Sequence, residues 1–236
     1  MSNTFFQFKQ FTIQQKNAPL KVTTDACLFG ALIQTENARS ILDIGTGTGL
    51  LALMLAQKSS ATILGIELDE ESVLNAENNF SSSIWREKIR VIHSDIKEWS
   101  RNTTSKFDLI VCNPPFFTSH KKNMDVRISQ ARHNHSLTQT DLIEIILKHL
   151  SENGRTYIML PPNEMKLLVV RCIEQKIFPN RKYIVSSTEE KTAHLFIISF
   201  SYRPENFPDE KIFIHKKNGK YSIRFMELLN TYYLHL

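Results

Sequence analysis

The chain has 236 residues, 42% of them hydrophobic, and a formal net charge of +5, which suits one α/β domain with a proper core and an anionic partner. No apolar run reaches the ~18 residues of a membrane span, and the opening residues MSNTFFQFKQ lack the charged and then apolar pattern of a signal peptide. Cys27, Cys112 and Cys172 lie scattered in apolar contexts with neither disulfide nor zinc spacing, so they predict reduced core thiols in a cytoplasmic protein without a membrane or a metal.

Residues 25–34 read as a short helix capped by Thr24 or Asp25. Residues 40–49 read SILDIGTGTG: a buried strand over 41–44, then Gly45, Gly47 and Gly49 at alternate positions, then a helix over 50–58. Strand, glycine turn and helix is the order in which an α/β fold binds a nucleotide-like ligand. The spacing is G-x-G-x-G, not the dinucleotide G-x-G-x-x-G, which argues against a nicotinamide cofactor. Asp43 stands before the glycines, where a carboxylate suits an ammonium or another positive centre and repels phosphate.

Residues 62–68 form the second predicted strand. Its Glu67 stands about 20 residues past the glycines, where α/β folds place a carboxylate on ribose hydroxyls. A helix follows over 70–79. The third strand, 89–93, leads to Asp95, an acceptor suited to an adenine amino group, although strand-end acids also serve as helix caps. The fourth strand is 107–112. Residues 118–136 read as a polar, basic loop, 137–150 as a helix with Leu142, Ile145, Ile146 and Leu150 on one face, and Glu152-Asn153-Gly154 as its stop. A fifth strand, 155–160, ends at Pro161-Pro162, and Asn163 is expected to cap a helix reaching 177. Residues 182–186 and 194–202 predict an antiparallel pair at the sheet edge, 211–223 a hairpin about Asn218-Gly219, and 225–236 a helical tail. Alternating βα units predict a mostly parallel sheet with helices on both faces.

Directly after the fourth strand stand Asn113, Pro114, Pro115 and Phe116. The prolines lack the N–H a ladder needs and end the strand in a stiff turn. The turn offers the Asn113 carboxamide, the bare Pro114 carbonyl and the Phe116 ring. These can hold a flat molecule carrying an NH2 group, or serve only to end a strand.

The ordered set DIGTGTG, Glu67, Asp95 and NPPF resembles the class I S-adenosylmethionine (AdoMet)-dependent methyltransferases, and NPPF resembles the [DNS]-P-P-[YFW] of those that act on amines. FKQF (Phe8, Lys9, Gln10, Phe11) and the later Lys21, Val22, Thr24 and Asp25 are similar to the N-terminal part of the bacterial tRNA1(Val) adenine-37 N6-methyltransferases. Phe116 departs from the tyrosine usual there, keeping a stacking face and losing a hydroxyl.

The resemblance implies a Rossmann-like class I methyltransferase fold with a mostly parallel seven-stranded sheet. It also implies a single domain over 1–236, with 1–35 covering the cofactor and substrate and 204–236 as a C-terminal extension. AdoMet is the implied cofactor, held by Lys21, Thr24, Asp43, Gly45, Gly47, Gly49, Glu67, Asp95 and Asn113. Asn113, Pro114, Pro115 and Phe116 are the implied catalytic turn, and tRNA the partner of a monomeric enzyme. Lys9, Lys121, Lys122, Arg127 and Arg132 are the expected RNA contacts. His133, His135, Lys216, Lys217 and Lys220 are further candidates. Ribosomal RNA guanine-N2 or a protein glutamine is the alternative substrate for the same chemistry.

Overall fold

Ile41 packs into one core and Leu42 into another, and the same alternation recurs at Ile63 and Leu64 and at Leu109 and Ile110. Successive side chains of a strand point to opposite faces, so strands apolar on both faces must be covered on both. The structure is a computed structural model that describes residues 4–114 and 137–236. A small antiparallel hairpin, β1 (Phe5–Gln7) and β2 (Thr12–Gln14), precedes α1 (Thr24–Leu32). Next come β3 (Ser40–Ile44), α2 (Leu50–Lys58), β4 (Thr62–Glu67), α3 (Glu70–Ser81), β5 (Ile89–His93), α4 (Ile96–Arg101) and β6 (Phe107–Cys112). The later elements are α5 (Gln139–His149), β7 (Leu150–Leu160), α6 (Pro162–Glu174), β8 (Phe178–Ser186), β9 (Leu195–Ser201), β10 (Glu210–Phe213) and α7 (Ile223–Leu229).

The main sheet runs β10-β8-β9-β7-β6-β3-β4-β5, and every neighbouring pair is parallel except the two that involve β9. Helices α1, α2, α3 and α7 cover one face; α4, α5 and α6 cover the other. Among the described residues this sheet has eight strands, one more than the seven expected. Residues 210–213 pair in parallel with β8 and bury Ile212, so the expected hairpin shrinks to the tip around His215 and Tyr221. That strand covers β8, which would otherwise expose a row of unpaired backbone groups.

Other boundaries move for local reasons. Thr23, not Thr24 or Asp25, caps α1, its side chain accepting from the Ala26 amide at 3.1 Å. Pro162 opens α6 with Pro161 before it, in place of an Asn163 cap, because the first turn has no use for a proline N–H. Helix α5 stops at His149 and the chain passes directly into β7. Gly154 therefore does not end a helix. It lies in β7, where an added Cβ would come within 2.9 Å of the Ser151 carbonyl and 3.0 Å of the Phe107 carbonyl.

The FKQF segment ties the two ends of the chain together. Phe8 and Phe11 are buried and stack at 4.5 Å between centroids, and Phe11 meets Trp85 edge-on at 6.0 Å. The Lys9 amide donates to the Tyr232 carbonyl at 2.8 Å, and the Lys9 ammonium donates to the Asn230 carbonyl at 2.6 Å. Replacing Phe8 by Ala is expected to cost about 3–5 kcal/mol in urea unfolding, with early protease cleavage before residue 24. Wild-type stability in that variant would contradict the clasp.

Candidate active site

Ile44 pairs with Ile66 on one side and Cys112 on the other, so the next residue along each chain, Gly45, Glu67 and Asn113, stands at one level at the carboxyl ends of these strands. β3 lies between β4 and β6 at the point where strand order reverses. Open α/β sheets bind ligands at this place, outside the carboxyl ends of their strands.

The glycine turn has the conformation its sequence requires. Gly45, Gly47 and Gly49 have φ of 68°, 57° and 84°, a region that side chains with a Cβ seldom enter. Among the described residues nothing lies within 4 Å of where a Cβ would stand on Gly45 or Gly47, so that side of the turn is open to a ligand. Gly49 is constrained from inside, since a Cβ there would come within 2.3 Å of the Phe80 ring. Both amides at the start of the turn, Gly45 and Thr46, donate to the Ile66 carbonyl of the adjacent strand, at 2.9 and 3.2 Å.

Two carboxylates flank this turn. Asp43 is fully buried; its Oδ2 accepts the Thr46 hydroxyl at 2.6 Å, and its Oδ1 has no hydrogen-bond partner among the described residues. Burial pushes its pKa up to about 7, against the Thr46 bond and with help from the nearby Glu67 charge. Gly65 makes room for Thr46, because a Cβ there would lie 2.7 Å from the Thr46 methyl. Glu67 Oε2 accepts the Gly47 amide at 2.8 Å, and Oε1 accepts the Leu68 and Asp69 amides at 2.8 and 2.9 Å. Oε2 keeps a further lone pair, whereas both of those on Oε1 are taken.

Helix α3 joins the turn to the N-terminal segment. The Asn79 side chain is buried; its Oδ1 accepts the Gln14 amide at 2.8 Å, and its Nδ2 donates to the Gln14 carbonyl at 3.0 Å and the Thr48 carbonyl at 2.9 Å. One turn earlier, Asn75 donates to the Lys16 carbonyl at 2.9 Å. Gln15 accepts the Val22 amide at 2.9 Å, closing the segment on itself before Thr23 and Thr24.

The methyltransferase small domain family matches residues 22–160 of this chain. A curated tRNA1(Val) (adenine(37)-N6)-methyltransferase of Bacteroides thetaiotaomicron is 37% identical across 100% of both chains. One from Cytophaga hutchinsonii is 36% identical, again over 100% of each. The chain belongs to the tRNA1(Val) (adenine(37)-N6)-methyltransferase family. In fold, a predicted O-methyltransferase from Agrobacterium tumefaciens is similar with a TM-score of 0.67 at 14% identity, over 87% of this chain and 95% of that one. The α/β methyltransferase architecture expected from the sequence is thus the one present.

Of the family's expected site residues, Asp43, the three glycines, Glu67 and Asn113 meet at one end of β3, β4 and β6. Asp95 follows β5 and caps α4, its Oδ1 accepting the Lys97 amide at 2.7 Å. Thr24 is the first residue of α1 and lies against the Tyr233 hydroxyl. Lys21 is exposed just before it. Pro114 is buried beside the half-buried Asn113. Pro115, Phe116, Lys121, Lys122, Arg127, Arg132, His133 and His135 lie outside the described residues. Among the described residues no group of three or more His, Cys, Asp or Glu side chains is arranged to hold a metal ion, and no helix is long and apolar enough to cross a membrane.

Thr46, Gly65, Asn75 and Asn79 join the site without having been singled out in the sequence. The one available signal was the i, i+4 spacing of two asparagines on the face of α3 that also carries Ala76 and Phe80.

Two results test this arrangement. Between the ordinary 3.8 and about 7, folded Asp43 keeps a proton that the unfolded chain has released, so its contribution to stability falls as pH rises through that window. Asp43→Asn removes this penalty. Its Tm is expected to exceed wild type most at about pH 8 and to converge with it at about pH 4; a pH-independent difference would contradict the assignment. Asn79→Leu is expected to cost about 1–3 kcal/mol and to raise amide exchange across residues 12–16 ahead of β3. Unchanged protection there would rule out the clamp.

Proposed function

We propose that this chain transfers a methyl group from AdoMet to the N6 amine of an adenosine in tRNA, adenosine 37 in the anticodon loop of tRNA1(Val). The observation that carries this reading is the full-length similarity to relatives bearing that activity in their names, joined to Asn113 at the level of the glycine turn.

AdoMet fits the residues present. Gly45 and Gly47 leave room above the turn, and the Glu67 carboxylate beside it disfavours a phosphate. Asp43, Gly45, Gly47 and Gly49 would hold it at the turn, Glu67 at ribose hydroxyls, and Asp95 at the adenine amine. Lys21 and Thr24 would close over it from the 1–35 segment of the single domain, with 204–236 as an extension behind. When bound, AdoMet supplies an electrophilic methyl on a sulfonium.

The chain's own residues prepare the amine. Its lone pair is delocalised into the purine ring and is a poor nucleophile. The Asn113 side-chain oxygen and the Pro114 carbonyl accept its two N–H bonds and favour a more tetrahedral nitrogen, an interaction that strengthens towards the transition state. Pro115 stiffens the turn. Phe116 stacks on the base, worth roughly 1–3 kcal/mol. A base in an anticodon loop is already available for extrusion, which lowers the cost of bringing it there. The reading extends to a cytoplasmic monomer; Cys27, Cys112 and Cys172 are buried free thiols, as a reducing compartment allows.

The test is incubation with labelled AdoMet and total tRNA from cells lacking the corresponding gene, followed by nucleoside mass spectrometry. N6-methyladenosine is expected at one site in valine tRNA, and Asn113→Ala is expected to lower kcat by about 100-fold. Label appearing only in guanine-N2 or in a protein glutamine would overturn the adenine assignment.

A further inference from the structure

The sheet directions bring a basic feature to the rim that carries the site. β10 is parallel to β8; β8 and β7 are each antiparallel to β9; β7 is parallel to β6, and β6 to β3. The carboxyl end of β10 therefore opens on the same side as Gly45 and Asn113. β10 lies four strands from β6, roughly 19 Å across at the usual strand spacing.

The chain leaves β10 there as a tight hairpin. Its base is an extension of the sheet, with the Ile214 and His215 amides donating to the Ser186 and Ser187 carbonyls at 3.1 and 2.8 Å. Its tip is closed by the Lys216 amide on the Lys220 carbonyl at 2.7 Å, with Gly219 at φ 79°. The rings of His215, Tyr221 and Phe225 form a continuous stack, 5.1 and 4.6 Å between centroids, which ends on fully buried Phe225. The tip is thus rigid and rooted in the core.

Lys216, Lys217 and Lys220 are all exposed on that tip. The facing turn contributes Lys191 together with Glu189 and Glu190, and Lys217 pairs with Glu190 at 2.5 Å. An open hollow between them is lined by Glu189, Phe213, His215, Lys216, Lys217 and Ser222. The hairpin's three ammonium groups outnumber the two acids, and among the described residues only Lys217 is paired with one of them.

Resting on the RNA reading above, we propose that this hairpin is a second docking surface for the substrate RNA. It grips the phosphate backbone of the stem while a loop base reaches Asn113. The lysines supply sequence-independent attraction, and the stacked rings hold them at a set height and distance from the catalytic turn. Phosphate contacts of this kind position a nucleic acid without reading its sequence.

The test is binding of tRNA to the full chain over a series of salt concentrations, with Lys216→Ala/Lys217→Ala/Lys220→Ala compared with wild type. The triple variant is expected to bind several-fold more weakly. Its salt slope should be shallower by roughly 1 for each phosphate that is no longer neutralised, while Tm, S-adenosylhomocysteine affinity and kcat at saturating tRNA stay as in wild type. Glu189→Gln/Glu190→Gln is expected to move affinity the opposite way, which a purely structural role would not do. Equal affinity and equal salt slope in wild type and the triple variant would overturn the inference. A wild-type chain that binds tRNA but forms no N6-methyladenosine would instead overturn the methylation reading, and the hairpin would still be judged by its binding.

Discussion

The rim of the sheet depends on the accommodation of two carboxylates on either side of one glycine turn. Asp43 is buried before the turn and Glu67 stands beyond it on the next strand, where its charge adds to the cost of ionising Asp43. The structure offsets this with three backbone amides on Glu67 and one hydroxyl on Asp43. Those bonds shape the turn: Gly47 is drawn to Glu67, Thr46 to Asp43, and Gly65 is left without a side chain so that Thr46 can fit. One oxygen of Asp43 stays without a partner among the described residues. A folded chain keeps a buried acceptor unsatisfied at a cost.

The ends of the chain serve the same centre. Phe8 and Phe11 anchor the first residues against Trp85, Tyr233 and the C-terminal helix. From there the segment runs past Asn75 and Asn79, which both bind its backbone, and Asn79 also donates to the Thr48 carbonyl. Position of the N-terminal segment and shape of the glycine turn are thereby linked through the Asn79 carboxamide.

Much of this was legible in the sequence where a residue type has one mechanical use. Three alternate glycines after a buried strand forecast the turn, and α2, β5 and β6 begin and end where apolar runs and turn residues put them. Asn113-Pro114 marked a strand end because proline cannot continue a ladder. The functional weight of FKQF was visible only as a resemblance; its physical role, a clasp between chain ends, depends on contacts more than 200 positions apart. Asn75 and Asn79 were illegible because an asparagine on a polar helix ordinarily faces water, and nothing local says which backbone it will meet. β10 was hidden likewise: its pairing with β8 is parallel and remote, whereas Asn218-Gly219 gave a strong local signal for a hairpin.

The central claim is that the open glycine turn with Asp43 and Glu67 is a site for AdoMet. Calorimetric titration of S-adenosylhomocysteine into wild-type chain and into Glu67→Ala tests it most directly. The account predicts one site per chain in the wild type and at least tenfold weaker binding in the variant. No binding to wild type, or equal affinity in both, would contradict it.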